Sequence, residues 1–155
     1  MVNTNFLILV DDSEEMLVAL KFACLRANST GGRVTLAYII EPSSGGENWL
    51  AISSIAKQEG LKDAKSLLKQ YVEKVEKITG TTPETIIREG KIAEEFINII
   101  IEDKTISIAV LAANANSANP GPVITSLINK GIGSFHVPIT IVPGSITDYE
   151  LESIS

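Results

Sequence analysis

Apolar positions follow two rhythms along this chain. Phe6 to Val10 (FLILV), Val34 to Ile40 (VTLAYII), Ile106 to Leu111 (ISIAVL) and Pro138 to Val142 (PITIV) are short, nearly continuous apolar runs. Runs of this kind predict strands buried on both faces, and Pro83 to Arg88 supplies a shorter third strand between the second and fourth. Between the runs, apolar residues recur at helical spacing. Met16, Leu20, Ala23 and Ala27 mark a first helix, and Leu61, Ala64, Leu68, Tyr71, Val75 and Ile78 a long second one. Ile92, Ala93, Phe96, Ile97, Ile100 and Ile101 mark a third, and Val123, Ile124, Leu127 and Ile128 a fourth. The punctuation agrees. Ser13 precedes Glu14 and Glu15 as an expected helix cap, Gly31-Gly32 and Gly80 stop helices, Gly90 marks a turn, and the last helix is expected to end at Gly131 or Gly133.

Strand and helix alternation implies a parallel sheet with helices on both faces. The expected fold is α/β: a single-domain three-layer α/β/α sandwich around a five-stranded, mainly parallel sheet in the order 3-2-1-4-5. Its crevice lies at the C-terminal ends of the first and fourth strands, where the chain reverses direction across the sheet. Asp11 and the loop opening at Ala112 both fall there. Residues 1–144 form the domain, and 145–155 read as an acidic, solvated tail, since Asp148, Glu150 and Glu152 have no basic neighbour.

Composition narrows the function. A chain of 155 residues, 45% hydrophobic and 21% charged, folds as one globular unit. A net charge of −6 argues against nucleic acid or an anionic membrane as partner. No run reaches the length of a membrane span and Met1 to Asn5 carries no leader pattern, so a cytoplasmic location is expected. The single cysteine, Cys24, sits in an apolar helical pattern and reads as a core thiol. Lys62, Lys65, Lys69 and Lys77 interleave with acidic residues and form a solvated helix face. Glu41 to Leu50 is expected to be a loop, with Trp49 docked on the surface or forming a lid. His136 has no acidic partner in sequence, and no Walker loop, Gly-x-Ser-x-Gly elbow or histidine metal motif occurs. No enzyme is expected.

The informative stretch is Ile106 to Ser126, a strand followed by a loop of Ala, Asn, Ser, Pro and Gly and then a helix opening near Pro122. Strand, small-residue loop and helix start is the layout that holds phosphate in open α/β folds. Taken with Val10-Asp11-Asp12-Ser13 after the first strand, Gly90, and the final Val137-Pro138-Ile139-Thr140-Ile141-Val142, the chain resembles the universal stress protein family over nearly its whole length. The resemblance implies the adenine nucleotide alpha hydrolase-like fold. Nucleotide-binding members carry Gly-x-x-Gly, nine residues, then Gly-Ser or Gly-Thr after the fourth strand, and the count places these positions at Ala112, Ala115, Thr125 and Ser126. By resemblance Asp11 faces ribose or a phosphate-bound metal, the backbone at Ile39 meets adenine, and Ser126 contacts phosphate. No other metal site is expected.

Three glycines of that pattern are replaced here. Glycine permits positive φ and close approach of amides to an anion, whereas alanine and threonine resist it. Asn114, Asn116 and Asn119 tolerate left-handed backbone and partly offset the loss. The expectation is a dimeric stress-response or regulatory protein with weak or absent binding of ATP or AMP and magnesium. The alternative is a nucleotide-dependent switch that retains binding. A receiver domain is a further alternative, because of Asp11-Asp12, but the third strand ends in Arg88-Glu89 and no lysine precedes Pro143. The resemblance also implies a homodimer through the fifth strand, Pro138 to Val142, and leaves any other protein partner open.

Overall fold

The computed structural model describes residues 3–42, 49–114, 121–130, 133 and 135–155, with the side chains of 49–57 left undescribed. Strands β1 (Asn5–Leu9), β2 (Arg33–Ile40), β3 (Glu84–Glu89), β4 (Ile108–Ala113) and β5 (Ile139–Pro143) alternate with helices α1 (Glu15–Thr30), α2 (Trp49–Thr79), α3 (Ile92–Glu102) and α4 (Pro122–Asn129), and α5 (Asp148–Ile154) follows β5. All four strand pairings are parallel and the order is β3-β2-β1-β4-β5. Every residue of β1 is buried, as the central place of an apolar strand requires.

The two sheet faces carry separate cores. Phe6, Ile8, Val34, Leu36 and Val110 pack against Met16, Leu20 and Cys24 of α1 and Leu68, Tyr71 and Val75 of α2. Leu7, Leu9, Ile39, Ala109 and Leu111 pack against Phe96, Ile99 and Ile100 of α3 and Ile124 and Leu127 of α4. Each fully buried large side chain contributes about 1.5–3 kcal/mol. At the N-terminal rim, buried Asn5 accepts from the Thr35 hydroxyl at 2.8 Å and donates to Thr105 at 3.3 Å, so neither side chain is left unsatisfied.

The structure departs from the sequence reading at several boundaries. β4 runs to Ala113, because Ala112 and Ala113 continue in register with Val142 and Pro143. β3 and β5 each begin one residue later than Pro83 and Pro138, and α4 stops at Asn129, before Gly131. α2 is 31 residues long and starts at Trp49, inside the expected loop. The rest of that loop, 43–48, and the side chain of Trp49 lie outside the described residues. The acidic tail is a helix. Thr147 caps α5 in a reciprocal capping box with Glu150, Leu151 is 1% exposed, and Asp148 pairs with Lys21 of α1 at 3.0 Å. No helix among the described residues is long and apolar enough to cross a membrane.

Candidate functional site

The chain's reversal across the sheet lies between β1 and β4, which pair from Phe6↔Ile108 to Ile8↔Val110. Beyond the end of β1, Asp11 is exposed, and its carboxylate turns back on its own segment. One oxygen accepts from the Ser13 amide at 2.8 Å and from the Ser13 hydroxyl. Ser13 therefore holds Asp11 rather than capping α1, whose N-cap is Glu14 without a side-chain cap bond. The Asp11 carbonyl accepts from the Tyr71 hydroxyl of α2 at 3.0 Å. Burial, then the charges of Asp12, Asp63 and Asp11, push the Tyr38 hydroxyl up from its ordinary value. Burial, then Asp11 and Asp12, do the same to Tyr71. Asp11 thus belongs to a negative region beside α2, and no cluster that could hold a metal occurs among the described residues.

Ile39 sits two residues past Ala37, the last β2 residue in register with β1. The Ile40 carbonyl accepts from the Gly90 amide at 3.0 Å, on the β3 side. Successive carbonyls of a strand point to opposite edges, so that of Ile39 faces the crevice side. This suits contact with a flat polar ring edge. Ala112 lies within β4 opposite Val142, half-buried, and the next carbonyl, Ala113, accepts from the Gly144 amide at 3.0 Å. Ala112 is a strand residue, not the first residue of a loop. Ala115 lies outside the described residues.

Thr125 is helical and exposed. Its amide and hydroxyl both donate to the Gly121 carbonyl, at 3.1 and 3.0 Å. No non-glycine residue among those described has a positive φ, so threonine meets no left-handed strain here. The residue that uses glycine's freedom is Gly121, the N-cap of α4, with φ 118° and no atom within 4 Å of where a Cβ would stand. The loop-to-helix junction is therefore Gly121-Pro122, upstream of Thr125-Ser126. Pro122 has no N–H, so one of the groups that a helix start offers to an anion is missing.

Ser126, half-buried, lines a cavity of about 420 Å³ between the start of α3 and the length of α4 from Pro122 to its C-cap Lys130. Ile92, Ala93, Pro122 and Val123 form its apolar walls, and Glu41, Lys91, Glu94 and Lys130 its charged rim. The volume falls within the range of small-molecule sites, about 300–1,000 Å³. Lys130 bridges to Glu94 at 2.8 Å, tying the two helices across the cavity. That hydrogen bond, then the Lys130 and Lys91 charges, hold the Glu94 carboxyl below its usual range. For an adenine nucleotide the described lining offers apolar walls and the Ser126 hydroxyl, while Lys130 is matched by Glu94 and Pro122 has no N–H to donate.

Of the residues expected from sequence, Ser126 lies in the cavity wall and Ile39 two residues before its rim residue Glu41, while Asp11 turns toward α2. Sequence reasoning missed Lys91, Glu94 and Lys130, which carry no signal there beyond lying off the apolar stripes of α3 and α4. The β3 end is tied to α3, as Arg88 pairs with Glu95 at 3.8 Å and with Glu102. His136 is exposed.

A family model described as the universal stress protein family matches residues 3–143. Among solved structures, universal stress protein UspA from Lactobacillus plantarum superposes with a TM-score of 0.76 at 18% identity, covering 92% of this chain and 99% of that one. A universal stress protein from Archaeoglobus fulgidus in complex with dAMP gives 0.62 at 17% identity, over 92% of this chain and 99% of the other. A universal stress protein in complex with cAMP gives 0.67 at 13% identity, over 94% and 100%. Identities this low speak for the fold alone. Comparison with curated protein sequences returns no match.

Proposed function

This chain belongs to the universal stress protein family, and from that premise we propose that it is a non-enzymatic cytoplasmic regulator of stress responses. It acts as a homodimer and takes adenine nucleotide weakly in the crevice between α3 and α4. The fold shared with relatives solved with cAMP and dAMP supports the ligand class. The observation that carries the weak affinity is Pro122 directly after Gly121, since proline at the first turn of α4 gives no amide to an anion.

Self-association is supported by β5, which among the described residues pairs with β4 alone and stands at the edge of the five-stranded sheet. Isothermal titration with Mg-ATP is expected to give a dissociation constant no tighter than about 100 μM. A low-micromolar constant would instead favour a nucleotide-dependent switch.

A further inference from the structure

We propose that the cavity between α3 and α4 selects an uncharged nucleoside over its phosphorylated forms, and that Glu94 sets this selection by neutralising Lys130. The proposal deepens the adenine-nucleotide reading of the crevice and rests on it. Among the described residues four charged side chains line the cavity, Lys91 and Lys130 against Glu41 and Glu94, and their formal charges cancel. A phosphate cradle needs the opposite: surplus positive charge or converging amides. At the C-cap of α4 Lys130 is already held by Glu94 at 2.8 Å, and at the start of that helix Pro122 has no N–H to offer an anion.

A phosphate seated on Lys130 shares that ammonium with Glu94 and so comes to lie beside a second anion. An uncharged nucleoside avoids this. Its base lies against Ile92, Ala93 and Val123, its hydroxyls reach Ser126 and Glu41, and the Glu94–Lys130 pair stays closed beside it. Glu41 then serves as an acceptor for N–H and O–H groups, which a nucleoside has in number. Selection arises from an unfavourable term against the charged ligand rather than from an added contact to the neutral one.

The test is titration calorimetry on the full chain with adenosine, AMP and Mg-ATP. Adenosine is expected to bind at least about tenfold more tightly than either phosphorylated form. Glu94→Gln releases Lys130 and should strengthen AMP binding by about fivefold or more, with adenosine little changed. Lys130→Gln leaves Glu94 unmatched and should weaken AMP further while sparing adenosine, so the proposal stays testable if the first variant misfolds. AMP or ATP binding as tightly as adenosine to the wild-type chain overturns the selection but leaves the nucleotide crevice standing. A gap between AMP and adenosine that neither variant alters overturns the role of Glu94. No binding by any of the three at millimolar concentration overturns the crevice itself, and the selection with it.

Discussion

Gly121 and Pro122 pull in opposite directions at the mouth of the crevice. Glycine lets the backbone turn at φ 118°, and the next residue withholds the amide that such a turn would present. Pro122→Ser restores that N–H and is expected to tighten ATP binding by about fivefold, close to 1 kcal/mol, in the same titration. An unchanged affinity would place the block in the matched charges of the cavity alone. Motif spacing points to Thr125 and Ser126, whereas the glycine that turns the backbone into α4 is Gly121; spacing alone does not say which residue starts the helix. Asp11 was legible as a strand-end carboxylate, but its turn onto Ser13 depends on backbone geometry that residue type alone leaves open. A further residue-scale expectation concerns alkaline pH. Burial pushes the Cys24 thiol from 9.0 up to about 12, so the unfolded chain loses that proton first as pH rises. The contribution is complete below pH 9 and is lost between pH 9 and about 12, with the buried tyrosine hydroxyls adding to the loss. Urea midpoints should hold between pH 7 and 8.5 and fall at pH 10.5, and Cys24→Ala should flatten the early part of that fall.

The strands were readable from apolar runs because each one is short, buried and bounded by turn residues. Their ends were less so. β4 gains Ala112 and Ala113 from pairing with β5, a tertiary effect that small residues do not announce. α5 was hidden by its charge. Its acidic residues face water as expected, yet Thr147 and Glu150 form a capping box and Leu151 supplies one buried anchor on α1. Leu151→Ala is expected to lower the unfolding free energy by about 2–4 kcal/mol, and Thr147→Ala by about 1 kcal/mol, both read from urea denaturation. A Leu151→Ala loss below 0.5 kcal/mol would mean that α5 only rests on α1. Gly144 sets the course of the chain into this helix. A Cβ there would stand 2.6 Å from the Glu15 Cγ, so the segment crosses close against the first turn of α1.

For the whole molecule, the sheet order and the division into two cores followed from alternation and the handedness of parallel connections. The occupant of the open β5 edge did not. Ile141 is 42% exposed there, and α5 packs on α1 without adding a strand to the sheet. Replacing Thr140 and Ile141 together with lysine should convert dimers to monomers in sedimentation velocity at tens of micromolar. A wild-type chain that sediments as a monomer under those conditions would remove the dimer from the proposal.

The central place of β1 also fixes a sequence of events in time. Its first partner, β2, begins at Arg33, but its second, β4, begins only at Ile108. The amide of Asn5 waits for Ser107, 102 residues later, and Lys21 for Asp148. A nascent chain on the ribosome therefore carries an apolar edge along Phe6, Leu7 and Ile8 until Ile108 and the residues after it have been made. Contacts this distant slow folding, and an edge this apolar invites capture by chaperones or by a neighbouring nascent chain. The layout that creates the crevice is thus the same layout that leaves the growing polypeptide exposed for longest.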